Sequence, residues 1–355
     1  MVRGVSPGDA ARVLKLLLDV WDQAAERMLA TVVKHLVRGH TAPDWATAKT
    51  RETLALRAEL RAVVAQADAL TPELVTLALD EAYAIGARAA TTLDVPAVVS
   101  RPQAVQQLAT RLVTRLEGAH VPVIAAHERM AWRVVSDVEL GVQAGAGTRQ
   151  DAIAEAVDKL LVRGEDRFVD KSGRRWHLDA YARMAGRTIS GQTAVQGQLD
   201  TMVAEGRDLV VVSDSPRECG VCRPWEGNLL SITGRTATGT AVDRLTVAGT
   251  VAEAVTAGLQ HPNCTHRLDP HAVGFTRAPR PAENPTGYRE QQTLRRLERE
   301  MRDLRRRQSA AEQIDHNGPV ARRLRAQIRA KSTRIREHTE ATGQIRRRDR
   351  EQPAG

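Results

Sequence analysis

The residues best suited to chemistry are cysteines and histidines in two clusters, Cys219-Gly-Val-Cys222 and His261-Pro-Asn-Cys264-Thr-His266. They hold all three cysteines of the 355-residue chain. Thiolate and imidazole are donors that zinc prefers, and a structural zinc takes four of them in a tetrahedron. Cys-x-x-Cys spacing lets one turn wrap a single ion. Cys219, Cys222, His261, Cys264 and His266 are therefore five candidate metal ligands for four positions, and structural zinc is the candidate cofactor. A closed site of this kind leaves no open position for catalysis. No catalytic residue is assigned, and the chain is expected not to be an enzyme.

Other chemistries fit these residues less well. Nothing at the N-terminus reads as a secretory signal, and an odd cysteine count would leave one thiol outside any disulfide. A thioredoxin-like pair opens a helix, whereas Pro216 before and Pro224-Trp225 after this pair mark a turn. A hydrogen-bonded Cys/His turn without metal is the plain alternative.

The elements that must position these residues follow from periodicity. Residues 1–165 read as a helical domain. Val13, Leu16, Leu17, Val20, Met28, Val32 and Leu36 form an apolar stripe over 10–38. A second helix capped by Thr41 or Asp44 runs to about 70, and Thr71-Pro72-Glu73 starts a third. Further helices fit 101–117, 122–140 and 148–163. Residues 166–270 read as a small α+β module. A hairpin turns at Ser172-Gly173, and Asp179 caps a helix to about 205. Leu209-Val210-Val211-Val212-Ser213 is a strand, a second hairpin passes through Leu229-Leu230-Ser231-Ile232, and a short helix over 251–259 delivers His261. Trp176 and Trp225 are expected to anchor this module's core. Residues 271–287 read as a linker, and 288–355 as a basic helical tail. In the tail, Leu294, Leu297, Met301 and Leu304 form one stripe and Leu324, Ile328, Ile335 and Ile345 another. They are parted by His316-Asn317-Gly318-Pro319, where a left-handed turn is expected. The fold class is mostly α with a small α+β Cys/His module and a C-terminal helical hairpin or coiled-coil tail.

Net charge is +9, and residues 281–355 carry 19 Lys+Arg against 11 Asp+Glu. The excess thus sits in the tail, which suggests a polyanion partner. Arg295, Arg296, Arg302, Arg305, Arg306, Arg307, Arg322, Arg323, Arg325, Arg346, Arg347 and Arg348 are the candidate phosphate contacts. Beyond Tyr288 the tail has no aromatic to stack on bases, so non-specific, salt-sensitive DNA binding is expected. The competing picture is a solvated helix whose arginines pair with its own acids. No apolar run approaches the roughly 20 residues of a membrane span, so no membrane partner and a cytoplasmic site of synthesis are expected.

Four stretches, in this order, resemble phage minor capsid proteins of the Mu F-like, head-morphogenesis type. They are Gly173-Arg174-Arg175-Trp176-His177-Leu178-Asp179-Ala180-Tyr181 onward, Val211-Val212-Ser213 leading to Cys219 and Pro224-Trp225-Glu226-Gly227, the run Gly258 to His266, and Tyr288 to Arg299. The resemblance covers about 167–350. It implies a minor head component acting in procapsid assembly, associated with portal, major capsid or scaffold protein. It also implies a place in the virion, in the head interior or near the portal, after assembly in the host cytoplasm. A metal-dependent nuclease using His266, His271 and Asp269 is the alternative, although no His-Asn-His arrangement accompanies them. A capsid maturation protease is another. His-Glu-x-x-His is absent, because His127-Glu128 lacks the second histidine, and Ser213 and Ser215 beside Asp214 have no assignable base.

Overall fold

The computed structural model describes residues 4–6, 8–91, 103–143, 148–215, 220–261, 264–272, 274 and 285–353. Ten helices and seven strands occur among them. The helices are α1 (Lys15–Val37), α2 (Trp45–Arg51), α3 (Thr53–Ala90), α4 (Gln103–Glu117), α5 (His120–Gln143), α6 (Arg149–Val162), α7 (Leu178–Ala204), α8 (Val251–Thr256), α9 (Pro285–Ile314) and α10 (Pro319–Thr342). The strands are β1 (Phe168–Val169), β2 (Arg175–Trp176), β3 (Leu209–Val212), β4 (Leu229–Ser231), β5 (Ala241–Val242), β6 (Leu245–Thr250) and β7 (Leu268–Pro270). The expected class, mostly helical with a small sheet and a Cys/His group, is what the chain adopts.

Two compact units are present, each assembled from three stretches rather than one. The first comprises Met1–Leu17, Thr71–Thr114 and Arg183–Glu290, and the second Leu18–Leu70, Arg115–Ala182 and Gln291–Gly355. This grouping cuts across the consecutive segments 1–165, 166–270, 271–287 and 288–355. Most of the linker, residues 275–284, lies outside the described residues.

The first unit is built on a five-stranded sheet of order β5-β6-β4-β3-β7. β3 pairs antiparallel with β4 and with β7, while β4 runs parallel to β6 with a bulge between Leu229 and Leu230. The stretch expected as a simple hairpin at 229–232 is therefore a central strand. Its run of apolar residues has a neighbour on each side, which suits a strand buried on both faces. Val210, Val212, Leu230, Leu259 and Leu268 form a core with Val195 and Met202 of α7. Thr250 caps α8 in a reciprocal capping box with Glu253. Gln198 of α7 ties the N-terminal segment to the sheet. Its Oε1 accepts from the Val5 amide at 2.7 Å and its Nε2 donates to the Leu268 carbonyl at 2.5 Å.

The second unit is helical, with the β1–β2 hairpin turning at Gly173, whose φ is +81°. The fully buried tryptophans here are Trp21, stacked on His120 at 5.6 Å, and Trp45, whose indole donates to the Leu36 carbonyl at 2.9 Å. Trp176 and Trp225, the two expected anchors, are only partly buried. Trp176 donates to Asp170 at 2.8 Å and meets Tyr181 edge-on within the second unit, and Trp225 packs on the sheet core of the first. They serve two clusters, not one.

Helices two and three depart from expectation at Pro72, which lies inside a continuous α3. An interior proline costs about 3 kcal/mol. Each buried Leu or Val contributes about 1.5–3 kcal/mol, and Leu60, Val63 and Val64 before Pro72 and Val75 and Leu79 after it are all buried. By length and composition α3 is apolar enough to cross a bilayer. Of that apolar stretch 39% is buried, and Leu54, Leu70 and Leu77 of α3 are exposed.

The α9–α10 pair forms the expected helical hairpin, joined through Leu294, Leu297, Met301 and Ile335. Its turn contains no left-handed residue. Gly318 has φ −63°, and Asp315 closes the turn by accepting from the Asn317 and Gly318 amides at 3.0 and 3.1 Å. Asp179 lies in the first turn of α7, which begins at Leu178, rather than capping it, and its carboxylate is engaged by Arg306.

Candidate metal centre and basic tail

Three of the five metal-ligand candidates converge in the first unit. Ligand atoms of Cys222, Cys264 and His266 all lie within 4.8 Å of one another, and the three residues are 0%, 6% and 2% exposed. Local structure explains each position. Cys222 precedes a single turn of 3-10 helix, Arg223–Trp225, that reverses the chain as the Trp225 amide bonds the Cys222 carbonyl at 3.0 Å. Cys264 and His266 sit two apart on an extended segment, so both side chains point to one side. That segment prolongs the β3–β7 pairing, with the Ser213 amide on the Arg267 carbonyl at 3.0 Å and the Arg267 amide on Ser213 Oγ at 2.9 Å. His261 is not among the converging three. Its carbonyl accepts from the Cys264 amide at 2.9 Å and shapes the turn. Cys219 lies outside the described residues.

The geometry suits a tetrahedral ion. Zinc–sulfur and zinc–nitrogen bonds of about 2.3 and 2.05 Å at tetrahedral angles give edges of about 3.8 Å between sulfurs and about 3.6 Å between sulfur and nitrogen. The Cys222 and Cys264 sulfurs are 3.8 Å apart, and Cys264 Sγ is 3.3 Å from His266 Nδ1. Electrostatics agree. The Cys222 thiol, with donors from His266, pulls Cys264 down to about 4 against the opposing effect of burial. Burial disfavours a charged His266, but Cys264 and Glu226 outweigh it and push the imidazole up to about 9. Metal ligation requires a deprotonated thiol and a free imidazole nitrogen, so a lowered Cys264 is the shift that would favour a bound cation.

Glu226 is not among the candidate ligands that residue type and spacing suggest, although it lies in one of the motifs of the resemblance. Its Oε1 lies 2.6 Å from His266 Nε2, on the far side of the ring from the cysteines. A carboxylate four residues after Cys222 gives no recognisable spacing, so no local signal reveals it.

The residues of the nuclease alternative have other engagements. His266 is held by Cys264 and Glu226, Asp269 accepts from the Gly4 amide at 2.8 Å, and His271 Nε2 stands 3.3 Å from Asp243.

In the second unit many tail arginines are paired. Arg306 meets Asp179 at 2.9 Å, and Arg307 grips Asp158 at 2.6 and 3.0 Å. Arg323 reaches Glu155 at 2.8 Å and Asp158 at 2.9 Å, Arg325 Glu312 at 2.9 Å, and Arg346 Glu351 at 2.6 Å. Arg302 donates to the Arg350 carbonyl and Arg322 to the Asn317 carbonyl. Arg296 and Arg347 make longer, exposed pairs with Glu300 and Asp349. Arg295 is half-buried, Arg305 lies beside Glu312 and Gln308 in a surface hollow, and Arg348 is exposed. Arg299, Arg329 and Arg334, outside the candidate phosphate contacts, are exposed and have no carboxylate partner among the described residues. Arg322, Arg329 and Arg336 recur every seven residues along the exposed side of α10.

The model of the family described as Phage minor capsid protein 2 matches residues 6–340. The chain belongs to that family, as the resemblance of its motifs implied. A protein named "Structural protein" from Lactococcus phage LL-H is 26% identical over 228 residues, covering 60% of this chain and 59% of that protein. The match therefore spans less than two thirds of that relative. No solved structure matches. Membership gives the chain a structural role in the phage head and a place in the virion.

Proposed function

We propose that the chain is a minor head protein of procapsid assembly whose sheet unit is clipped by structural zinc and whose tail contacts portal, inner capsid or scaffold protein, or packaged DNA. The observation that carries the clip is the burial of Cys222, Cys264 and His266 with their ligand atoms within 4.8 Å of one another. Buried, closed donor sets hold folds together, whereas hydrolytic zinc keeps an open position. The fourth ligand in this reading is Cys219, which lies outside the described residues, or His261. The ion's contribution is to fix two chain segments against each other, and Cys222, Cys264 and His266 are the residues that hold it.

Elemental analysis of the purified protein tests this. About one zinc per chain is expected, lost together with thermal stability in Cys222→Ser/Cys264→Ser. A wild-type protein that is stable and zinc-free overturns the clip. Intact supercoiled plasmid after incubation with Mg²⁺ or Mn²⁺ is the expected result for a non-enzyme, and nicking would restore the nuclease alternative.

The DNA reading rests on the exposed arginines Arg299, Arg322, Arg329, Arg334, Arg336 and Arg348. Arginine neutralises phosphate without reading sequence, so binding falls with salt and ignores base order.

A further inference from the structure

We infer that Glu226 is the positioning residue of the metal centre, fixing His266 so that its Nδ1 alone is presented to the ion. This rests on the zinc reading above. The Glu226 side chain is 0% exposed, and its Oε1 accepts both the His266 Nε2 proton at 2.6 Å and the Ser215 amide at 3.1 Å. These two bonds determine ring orientation and tautomer together. Nε2 must carry the proton that Glu226 accepts, which leaves the Nδ1 lone pair directed toward Cys264 Sγ, 3.3 Å away. A metal-bound imidazole gains basicity and a fixed plane when its other nitrogen donates to a carboxylate.

The burial of Glu226 supports the same reading. An anion out of water is costly unless strongly paired, and Glu226 Oε2 has no hydrogen-bond partner among the described residues. A glutamine or a water could hold an imidazole with less desolvation. A carboxylate adds a negative charge behind the ring, which strengthens the bond of the ring to a cation. The backbone is arranged for this. Glu226 follows the 3-10 turn that carries Cys222, and Gly227, at φ +74°, returns the chain to the sheet through its amide bond to the Val212 carbonyl at 2.9 Å. One reversal thus supplies both a direct ligand and the support for a ligand from the other segment.

The test measures metal affinity of the full chain by competition with a chromophoric chelator, with Co²⁺ absorption reporting the coordination sphere. Glu226→Ala is expected to bind Zn²⁺ about 10–100-fold more weakly than wild type and to shift the Co²⁺ bands. Glu226→Gln keeps an acceptor for Nε2–H and is expected to lose less, with nearly wild-type bands. Nitrogen-detected NMR of the zinc-loaded wild type is expected to show His266 protonated at Nε2. A purely structural glutamate would lower the melting temperature of all forms without changing the Co²⁺ spectrum. Zinc-binding wild type with unaltered affinity and spectrum in both variants overturns the role of Glu226 alone. A wild type that takes up neither Zn²⁺ nor Co²⁺ overturns the metal reading itself.

Discussion

Arg306 Nη2 stands 2.9 Å from Asp179 Oδ1, with side-chain exposures of 12% and 3%. A residue that composition assigns to a polyanion-facing tail is thus an internal strut of the helical unit. Asp303 and Asp158 hold its neighbours Arg167 and Arg307 in the same way, at 3.0 and 2.6 Å. Arg306→Ala leaves Asp179 buried without its cation, a change of about 3–5 kcal/mol. We expect a large fall in melting temperature, measured by calorimetry. A shift below one degree would show that the pair contributes little.

The open arginines behave oppositely. Arg299→Glu, Arg329→Glu and Arg334→Glu touch no partner and are expected to change stability by less than about 0.5 kcal/mol each. On duplex DNA each is expected to weaken binding and to reduce the salt slope by about 0.9 per neutralised phosphate. Fluorescence anisotropy between low and high salt reads this. Affinity indifferent to salt or to all three variants removes DNA from the partner set.

Gly86 and Gly197 allow two helices of the sheet unit to touch. A Cβ on Gly86 would meet the Ala194 carbonyl oxygen at 1.8 Å, and one on Gly197 the Tyr83 carbonyl oxygen at 2.2 Å. Both obstacles are backbone, so neither can rotate away. Gly86→Ala and Gly197→Ala are each expected to destabilise by about 1–3 kcal/mol, although alanine is the better helix former. Urea unfolding decides, and a stabilised variant would mean that the helices part without loss.

Asp208 gathers the loop after β4. Burial opposes its ionisation, but donors from Thr233, Ser231 and Thr236 outweigh it and hold the carboxyl well below the usual range. The folded value lies under the unfolded one of about 3.9. This stabilisation is therefore complete above about pH 5 and is lost as pH falls through 4 toward the folded value. Melting curves should show Asp208→Asn less stable than wild type at pH 6, with the gap beginning to narrow only below about pH 4. A gap independent of pH contradicts the assignment.

His35 and His120 resist protonation. Burial lowers both to about 4, helped at His35 by Lys49 and opposed there by Glu52. Folded values below the unfolded 6.5 mean that stability is whole above pH 6.5 and declines as pH falls from there to about 4. Imidazole resonances followed by NMR are expected to stay neutral to about pH 4 for these two. Midpoints near 6.5 would place both rings in water.

The features legible without the fold are those that neighbouring residues dictate. Capping hydroxyls, β-branched runs and glycine turns act over a few residues, so the α6 start at Thr148, the Gly173 hairpin, strand β3 and the α9–α10 break were all legible. The Cys/His clusters were legible as donor chemistry for the same reason. Tertiary structure alone decided which donors meet and which charges are internal. Cys222 and Cys264 are 42 residues apart, Glu226 and His266 40, and Arg306 and Asp179 127. No spacing rule spans such separations. The start signal at Thr71-Pro72 is overridden inside α3 because it is local while the burial that outweighs it is not. A charge run looks the same in sequence whether its partners are solvent, phosphate or carboxylates on another helix. Only the packing of α6, α7, α9 and α10 distinguishes the buried arginines from the open ones, since desolvation makes a cation keep the nearest anion.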